Sequence, residues 1–141
     1  MLVNLSYGLP TMVLCLLFQV MLLIYTFRYY LDHQDWMKRS SVWPHFLLIS
    51  IVMLLLVIGN LGQIAIWSML FIYLGEFKAF NVAFYHSAVN FASLGYGDIV
   101  MSEKYRLLGA LEAVNGVLMI GVSTAALMGP FKDSFKTTLS R

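Results

Sequence analysis

Residues 93 to 98, Ser-Leu-Gly-Tyr-Gly-Asp, are the stretch of this 141-residue chain whose residue types and spacing best fit a chemical task. Glycine adopts left-handed backbone dihedrals at little steric cost. Alternating left-handed dihedrals turn successive carbonyl oxygens to one side, so we expect Gly95 and Gly97 to help present a row of oxygen ligands. Four such segments around one axis would stack these oxygens in rings, and each ring can replace the water around a cation.

The rest of the chain has the composition of a membrane protein. It is 60% hydrophobic and 11% charged, and its mean hydropathy of +0.80 lies far above that of water-soluble domains. A helix needs about 20 apolar residues to cross a hydrocarbon core of roughly 30 Å. Three runs are long enough: 7–27, 46–74 and 105–128. The first lacks the basic residues and cleavage site of a signal peptide, so we expect it in the mature protein.

A fourth apolar run, residues 80–92, is too short to cross the membrane. With Asn81 as its N-cap, it predicts a helix of about a dozen residues that reaches halfway through the bilayer. Non-helical backbone at that depth is tolerated only where protein buries it or water bathes it. The run therefore predicts a re-entrant helix that delivers residues 93–97 into a protein-lined, hydrated space.

The basic residues predict the orientation of the three crossings. The loop after the first run and the C-terminal tail carry six of them: Arg28, Lys38, Arg39, Lys132, Lys136 and Arg141. By the positive-inside rule these segments are cytoplasmic, and the N-terminus and residues 75–106 face outward. An aromatic belt is expected at the inner interface, formed by Tyr29, Tyr30, Trp36 and Trp43. Two charge pairs at i,i+4 spacing predict that helix continues there: Arg28 with Asp32, and Asp35 with Arg39.

The short helix, the Ser-Leu-Gly-Tyr-Gly-Asp stretch and the last spanning run together resemble the pore module of potassium channels of the prokaryotic two-helix type, over residues 44–128. The resemblance implies an all-α membrane protein with three transmembrane helices, a re-entrant pore helix and a selectivity-filter loop, assembled as a homotetramer. It implies K⁺ as the transported ion, with no organic cofactor. The ligands it implies are the Ser93 hydroxyl and the carbonyls of Ser93, Leu94, Gly95 and Tyr96; Gly97 shapes the outer mouth, and Asp98 lies just outside it.

Two positions depart from the commonest signature of that family. Ser93 stands where threonine is usual and Leu94 where valine or isoleucine is usual; both keep their oxygen ligands, but residue 94 loses the stiffness of a β-branched side chain. The sequence therefore predicts a potassium-selective channel, with a weakly selective monovalent cation channel of the same architecture, or a noncatalytic membrane scaffold, as alternatives. An enzyme is not expected, because the three histidines and seven acidic residues form no nucleophile or metal constellation.

Polar residues near this loop have candidate supporting roles. Tyr85 and His86 can hydrogen-bond Asp98 of the same chain or the Tyr96 hydroxyl of a neighbouring chain. A bare Glu112 charge inside the membrane would cost at least about 2.5 kcal/mol, so we expect Glu112 to brace the pore helix through polar partners or, alternatively, to act in gating. Its candidate partners are Gln63, Trp67, Tyr85, Ser87 and Asn90.

The third run has features that the resemblance associates with an inner, pore-lining helix. Gly116 and Gly121 lie where such helices carry small residues, which can act as bending points or allow close helix packing. By helical spacing, Val117, Ile120 and Thr124 are expected to face the central cavity.

The chain is expected to have three parts: residues 1–43, an N-terminal transmembrane helix and cytoplasmic loop; residues 44–129, the ion channel pore domain; and residues 130–141, a short cytoplasmic tail. Gly129 and Pro130 are expected to end the inner helix. The first helix lacks the repeated arginines of a voltage sensor and is expected at the periphery. The tail is too short for a ligand-binding domain, so gating is expected from the membrane domain, from lipid, from the filter or from a regulatory partner.

The expected partners follow from the same observations. The scattered basic residues argue against a nucleic-acid partner. We expect an integral protein of the lipid bilayer, in a prokaryotic inner membrane, with its N-terminus outside and its C-terminus in the cytoplasm. Because one chain supplies one pore loop, we expect three further copies of the same chain around the ion path.

Overall fold

The computed structural model describes residues 1–35 and 43–139, and this part of the chain is helical, with no strand. The helices are α1, Leu2–His33; α2, Trp43–Tyr73; α3, Phe80–Phe91; and α4, Arg106–Leu139. Three segments are long and apolar enough to cross a membrane: Leu2–His33, Trp43–Tyr73 and Arg106–Phe135. The 12 residues of α3 give about 18 Å of helix, too little to span the bilayer. The predicted all-helical membrane fold is confirmed.

Two predictions about helix boundaries, one for the end of α1 and one for the start of α3, have different outcomes. α1 runs to His33, past the Arg28 and Asp32 pair, as predicted. Asn81 is not the N-cap of α3: that position is Ala79, whose backbone is extended and whose carbonyl accepts the Ala83 N–H. Asn81 is the second residue of α3, and its side chain is exposed. The predicted features at Trp36, Lys38, Arg39 and Arg141 lie outside the described residues.

One apolar core joins all four helices. Its fully buried members include Cys15 of α1, Trp67 and Phe71 of α2, Phe91 of α3 and Leu108 of α4. α1 packs against both α2 and α4 along one face, while residues such as Leu17 on its opposite face are exposed. Glycines bring the helices close together: Gly8 lies under Leu108 and Leu111 of α4. α1 is therefore part of the packed unit and lies at its edge.

Polar side chains connect the three spanning helices at mid-length. Gln63 of α2 donates a hydrogen bond to Gln19 of α1, at 2.6 Å from Nε2 to Oε1, and Gln19 donates to the Ser123 hydroxyl of α4 at 2.9 Å. Ser123 in turn donates to Asn60 of α2 at 3.4 Å. We call these four residues the central polar cluster. Because a polar group in hydrocarbon has no water to bond, each member takes at least one hydrogen-bond partner from a neighbouring helix.

α4 does not end at Gly129 and Pro130 as the sequence predicted; it continues to Leu139 with Pro130 inside it. Pro130 is fully buried and packs beside Thr26 and Tyr30 of α1. The segment beyond it is held by neighbours, since the Tyr30 hydroxyl donates to Asp133 at 2.8 Å and a His45 ring nitrogen lies 3.1 Å from the Ser134 hydroxyl. These contacts offset the one backbone hydrogen bond that proline removes from a helix.

The central polar cluster predicts the effect of replacing Gln19 by leucine. Gln19→Leu removes the acceptor of Gln63 and the donor to Ser123, so the free energy of unfolding should fall by about 1–3 kcal/mol. Reversible denaturation of the protein in detergent or bicelles measures the change. Leu17→Ala, on the exposed face of the same helix, is the control and should have a much smaller effect; equal losses in both variants would contradict the role of the cluster.

Candidate functional site

The loop after α3 has alternating backbone handedness. The φ angles are +57° at Ser93, +58° at Gly95 and +74° at Gly97, whereas Leu94 and Tyr96 do not have positive φ. The sequence predicted left-handed backbone at the glycines and missed it at Ser93, a residue type for which positive φ is uncommon. Alternation of this kind is the backbone conformation that can turn successive carbonyl oxygens to one side.

The C-terminal end of α3 anchors the beginning of this loop. The Ser93 N–H donates to the Asn90 carbonyl at 2.8 Å, and the Leu94 N–H donates to the Val89 carbonyl at 2.9 Å. Beyond Leu94, residues 95–101 take part in no backbone–backbone hydrogen bond within the described chain. The peptide groups of the loop are thus left open to an ion, water or another chain.

Two large side chains of the loop are exposed in the described structure. Leu94 is 54% exposed and Tyr96 is 66% exposed, although both are large and largely apolar. Their exposure marks the surface of the protomer on which further protein can pack.

Tyr85 of α3 holds the residue just outside the loop. Its hydroxyl donates a 2.7 Å hydrogen bond to the Asp98 carboxylate. This bond is the main reason that the pKa of Asp98 lies below, and the pKa of Tyr85 above, its ordinary value. The structure therefore brings together one pair of residues that the sequence proposed as partners.

His86 occupies a different place from the one that the sequence suggested. One ring nitrogen, Nδ1, lies 3.0 Å from the Ile99 carbonyl, and the other, Nε2, lies 2.9 Å from the Asn90 side-chain nitrogen. His86 thus contacts the backbone after Asp98, with no bond to the Asp98 carboxylate among the described hydrogen bonds. Nothing in a single sequence points to a backbone carbonyl as a side-chain partner.

Glu112 is completely buried behind α3. The Asn90 side chain donates to its Oε2 atom at 3.3 Å, and the Ser87 hydroxyl lies close by without hydrogen-bond geometry. The other three predicted partners do not bond Glu112. Gln63 donates to Gln19, and Tyr85 donates to Asp98. The Trp67 ring nitrogen has no hydrogen-bond partner within the described chain. Glu112 therefore contacts the short helix from behind, through Asn90.

The two candidate hinge glycines of α4 have different surroundings. Gly116 lies directly against the Phe91 backbone, and a Cβ atom there would overlap the Phe91 carbonyl. A Cβ atom on Gly121 would meet nothing within 4 Å. Gly116 is thus required for the close approach of α4 to the end of α3, which is the packing alternative that the sequence left open.

The residues predicted to face a central cavity lie on an open face of the protomer. Val117 is 58% exposed and Ile120 is 39% exposed. The Thr124 hydroxyl is also exposed and donates to the Ile120 carbonyl at 2.9 Å, one turn earlier in the helix. This face lies on the same side as the start of the loop, because Ser93 and Val117 line one shallow apolar groove.

The ends of the elements nearest the loop are tied together around it. Both oxygens of Glu76, which follows α2, accept hydrogen bonds from Ser102, which precedes α4; each bond is 2.7 Å long. Asn4 of α1 donates to the Lys104 carbonyl at 3.0 Å. Loop and pore helix are therefore framed at this end by contacts from every spanning helix.

A family model described as an ion channel matches residues 61–131, just over half of the chain. The chain belongs to this ion channel family. The matched part of the channel begins within α2, contains α3 and the loop, and ends in α4 one residue after Pro130, while α1 lies outside it. Membership also indicates a protein that is not an enzyme. No curated protein and no solved structure gives a significant match.

Sequence reasoning missed several residues that support the channel loop. Gln19 and Ser123 of the central polar cluster were not singled out, although an amide inside a charge-free apolar run is itself a signal of a helix contact. Asn115 was also missed; it is buried next to Gly116. Glu76 and Ser102 lie in connecting segments, where no periodic pattern pairs distant residues.

The position of Gly116 predicts the outcome of an alanine substitution. Gly116→Ala places a methyl group on the Phe91 carbonyl and should destabilise the fold by about 1–3 kcal/mol, the usual cost of overpacking. Thermal unfolding in detergent measures the loss. Gly129→Ala in the same helix is the matched control, because its Cβ atom meets nothing within 4 Å. A Gly116 variant as stable as the Gly129 variant would contradict the packing role.

The Tyr85 bond predicts a change in the titration of Asp98. Tyr85→Phe removes the donor that stabilises the ionised carboxyl, so the pKa of Asp98 should rise toward its ordinary value and the group should protonate at higher pH. Carbon-13 NMR of labelled aspartate, assigned with an Asp98→Asn variant, follows the titration. Tyr73→Phe, at the exposed end of α2, should leave it unchanged; an unaltered Asp98 titration in Tyr85→Phe would show that the bond is not formed in solution.

Proposed function

We propose that this channel conducts K⁺ passively through a homotetrameric pore whose selectivity filter is Ser93 to Gly97. The observation that carries the proposal is the alternation of positive φ at residues 93, 95 and 97. It supports a filter in which the carbonyls of Ser93, Leu94, Gly95 and Tyr96, with the Ser93 hydroxyl, replace the water shell of a potassium ion.

Tetramer formation is supported by what one protomer leaves open. Beyond Leu94, the filter backbone forms no backbone–backbone hydrogen bond within the described residues. The side chains of Leu94, Tyr96 and Val117 are exposed. A single loop cannot surround an ion, whereas four copies around an axis would close the oxygen rings and bury these side chains. The C-terminal end of each α3 would then point its partial negative charge toward the cation path.

The supporting residues have the following roles in this proposal. Tyr85 and Asp98 fix the outer end of the filter, His86 holds the following backbone, and Glu112 braces α3 through Asn90. Gly121 is the candidate bending point of α4, because a Cβ atom there would meet nothing within 4 Å. Val117, Ile120 and Thr124 line the cavity below the filter.

The distribution of basic residues supports an orientation. With the segment around Arg28 and the end of α4 in the cytoplasm of a prokaryotic cell, the filter loop faces outward. K⁺ would then cross the inner membrane between the outer mouth at Asp98 and the cavity beside Thr124. One residue of the proposed filter favours an alternative, a weakly selective cation channel. Leu94 lacks the β-branched side chain that stiffens the backbone.

The decisive experiment compares K⁺ and Na⁺ flux through purified protein in lipid vesicles. The expected result is K⁺ uptake that exceeds Na⁺ uptake by at least about tenfold, from a protein that runs as a tetramer in light scattering. Gly95→Ala should abolish K⁺ uptake while the tetramer persists, because alanine at positive φ costs about 1–2 kcal/mol and displaces the carbonyl ligands.

Gly75→Ala is the matched control for this experiment. Gly75 has φ of +75°, and a Cβ atom there meets nothing within 4 Å, as at Gly95, but it lies in the α2–α3 connection. Its variant should keep K⁺ uptake. Equal uptake of both ions would instead favour the weakly selective channel, and a folded protein with no flux of either ion would favour a membrane scaffold.

A further inference from the structure

His86 sits in the middle of a hydrogen-bonded chain between the filter loop and α4. Its Nδ1 atom faces a carbonyl, the Ile99 oxygen, which can only accept, so Nδ1 must carry a proton. Its Nε2 atom faces the Asn90 side chain at 2.9 Å. In the neutral ring Nε2 has a free lone pair, and the Asn90 amide nitrogen is the donor that matches it.

Asn90 extends this chain to the buried carboxyl of α4. The same amide nitrogen lies 3.3 Å from Glu112 Oε2, so it donates toward both the ring and the carboxyl. This arrangement requires a neutral His86, because His86 Nε2 and Glu112 Oε2 must both accept from the Asn90 amide nitrogen. We call the series from Ile99 through His86 and Asn90 to Glu112 the His86 chain.

A cavity gives solvent access to the His86 chain. It has a volume of about 500 Å³, is partly open to the surface, and is lined by His86, Asn90, Gly97, Glu103 and Arg106, among others. Its mouth lies on the side of the protein that carries the filter loop. Protons from that side can therefore reach the ring without crossing the filter.

The charges around His86 act in both directions. The carboxylates of Asp98 and Glu76 favour a charged ring, as does the bond to Ile99, whereas burial opposes it and prevails, so the pKa of His86 lies below its ordinary value of 6.5. Glu103 and Arg106 at the start of α4 line the cavity, and two aromatic rings, Phe71 and Phe77, pack against the imidazole. The ring is thus neutral at neutral pH, and its protonation requires a lower pH than that of an ordinary histidine.

We propose that Nε2 of His86 is a regulatory proton-binding site, reached through this cavity, and that its occupation reduces conduction. The proposal rests on the proposed channel function. A proton from water on Nε2 turns this atom from an acceptor into a donor that faces the Asn90 amide nitrogen. Two donors cannot bond each other, so Asn90 must turn its amide group and present its oxygen to the ring.

The turned amide then affects both ends of the His86 chain. The Asn90 oxygen would face Glu112 Oε2, which must also take up a proton or move away. Where the Glu112 carboxylate moves away, the hydrogen bond between α3 and α4 is lost, so α3 and the ring that it carries against the Ile99 carbonyl are held less firmly. Ile99 follows Asp98 directly, so the backbone at the outer end of the filter becomes less restrained, and we expect fewer conducting filters.

The test uses full-length protein in planar lipid bilayers, with the pH changed on one face at a time. The reference carries His33→Gln and His45→Gln, which leaves His86 as the one imidazole of the chain. Acidification from about pH 7.5 to 5 on the face that carries the filter loop should reduce the K⁺ current by about fivefold or more. The same change on the other face should have little effect.

Two further variants separate the proton site from a merely structural role. His86→Gln in the reference should remove most of this pH dependence. Asn90→Asp places a carboxylate beside Nε2 and should move the midpoint of the current upward by about 1 pH unit or more, because an opposite charge favours the protonated ring. A pH profile that is the same in the reference and in both variants would overturn the proposal.

Nitrogen-15 NMR of the imidazole supplies a readout that does not depend on conduction. In the reference protein, whose only histidine is His86, the spectrum should show the Nδ1–H tautomer at about pH 7.5 and proton uptake at Nε2 below about pH 6.5. Absence of K⁺ current at every pH would count against the proposed function, and the NMR titration would still decide the proton site. A ring with its proton on Nε2 at neutral pH would rule the site out.

Discussion

The structure depends on a stretch of backbone that pairs with no other backbone within the described chain. Between Leu94 and the turn before α4, the peptide groups form no backbone–backbone hydrogen bond within the described chain, although they follow a helix that ends partway through a membrane-spanning domain. An unpaired peptide group in hydrocarbon costs several kcal/mol. Such a loop persists only if something polar meets its oxygens and if its surroundings hold it in place.

Contacts from three directions hold the loop. At its start, the backbone of residues 93 and 94 is hydrogen-bonded to the end of α3. At its far end, Tyr85 bonds Asp98 and His86 bonds the Ile99 carbonyl. Behind it, Gly116 lets α4 approach the Phe91 backbone. The carbonyl row is thus positioned by backbone and side-chain contacts outside it. This explains how Ser93 can keep an uncommon positive φ, because strain of this kind lasts where the surrounding structure imposes it.

α1 lies outside the residues matched by the family model, and it stabilises the packing of α2 and α4. It contributes to the common core and, through Gln19, joins the central polar cluster that connects it with α2 and α4. Near the other end of α4, Tyr30 bonds Asp133 beyond the buried Pro130. Any motion of α4 below Gly121 must therefore break these bonds or carry α1 along, which makes α1 a restraint on the inner helix.

The sequence by itself determined the spanning helices, the half-length helix and the position of the candidate filter. The length of an apolar run decides whether a helix can cross the bilayer, and glycine spacing decides where left-handed backbone is easy; both are local properties of the chain. It could not determine which polar side chains meet. From the sequence, Glu112 could have bonded Gln63 or Asn90. The packing of α1 against α2 places Gln63 beside Gln19, to which it donates a hydrogen bond, and Glu112 accepts from Asn90. The end of α4 was likewise decided by tertiary contacts, since Tyr30 and His45 stabilise a helix that Pro130 alone would have ended. Partners of this kind lie on different helices, and their distance in space depends on the packing of the whole protomer.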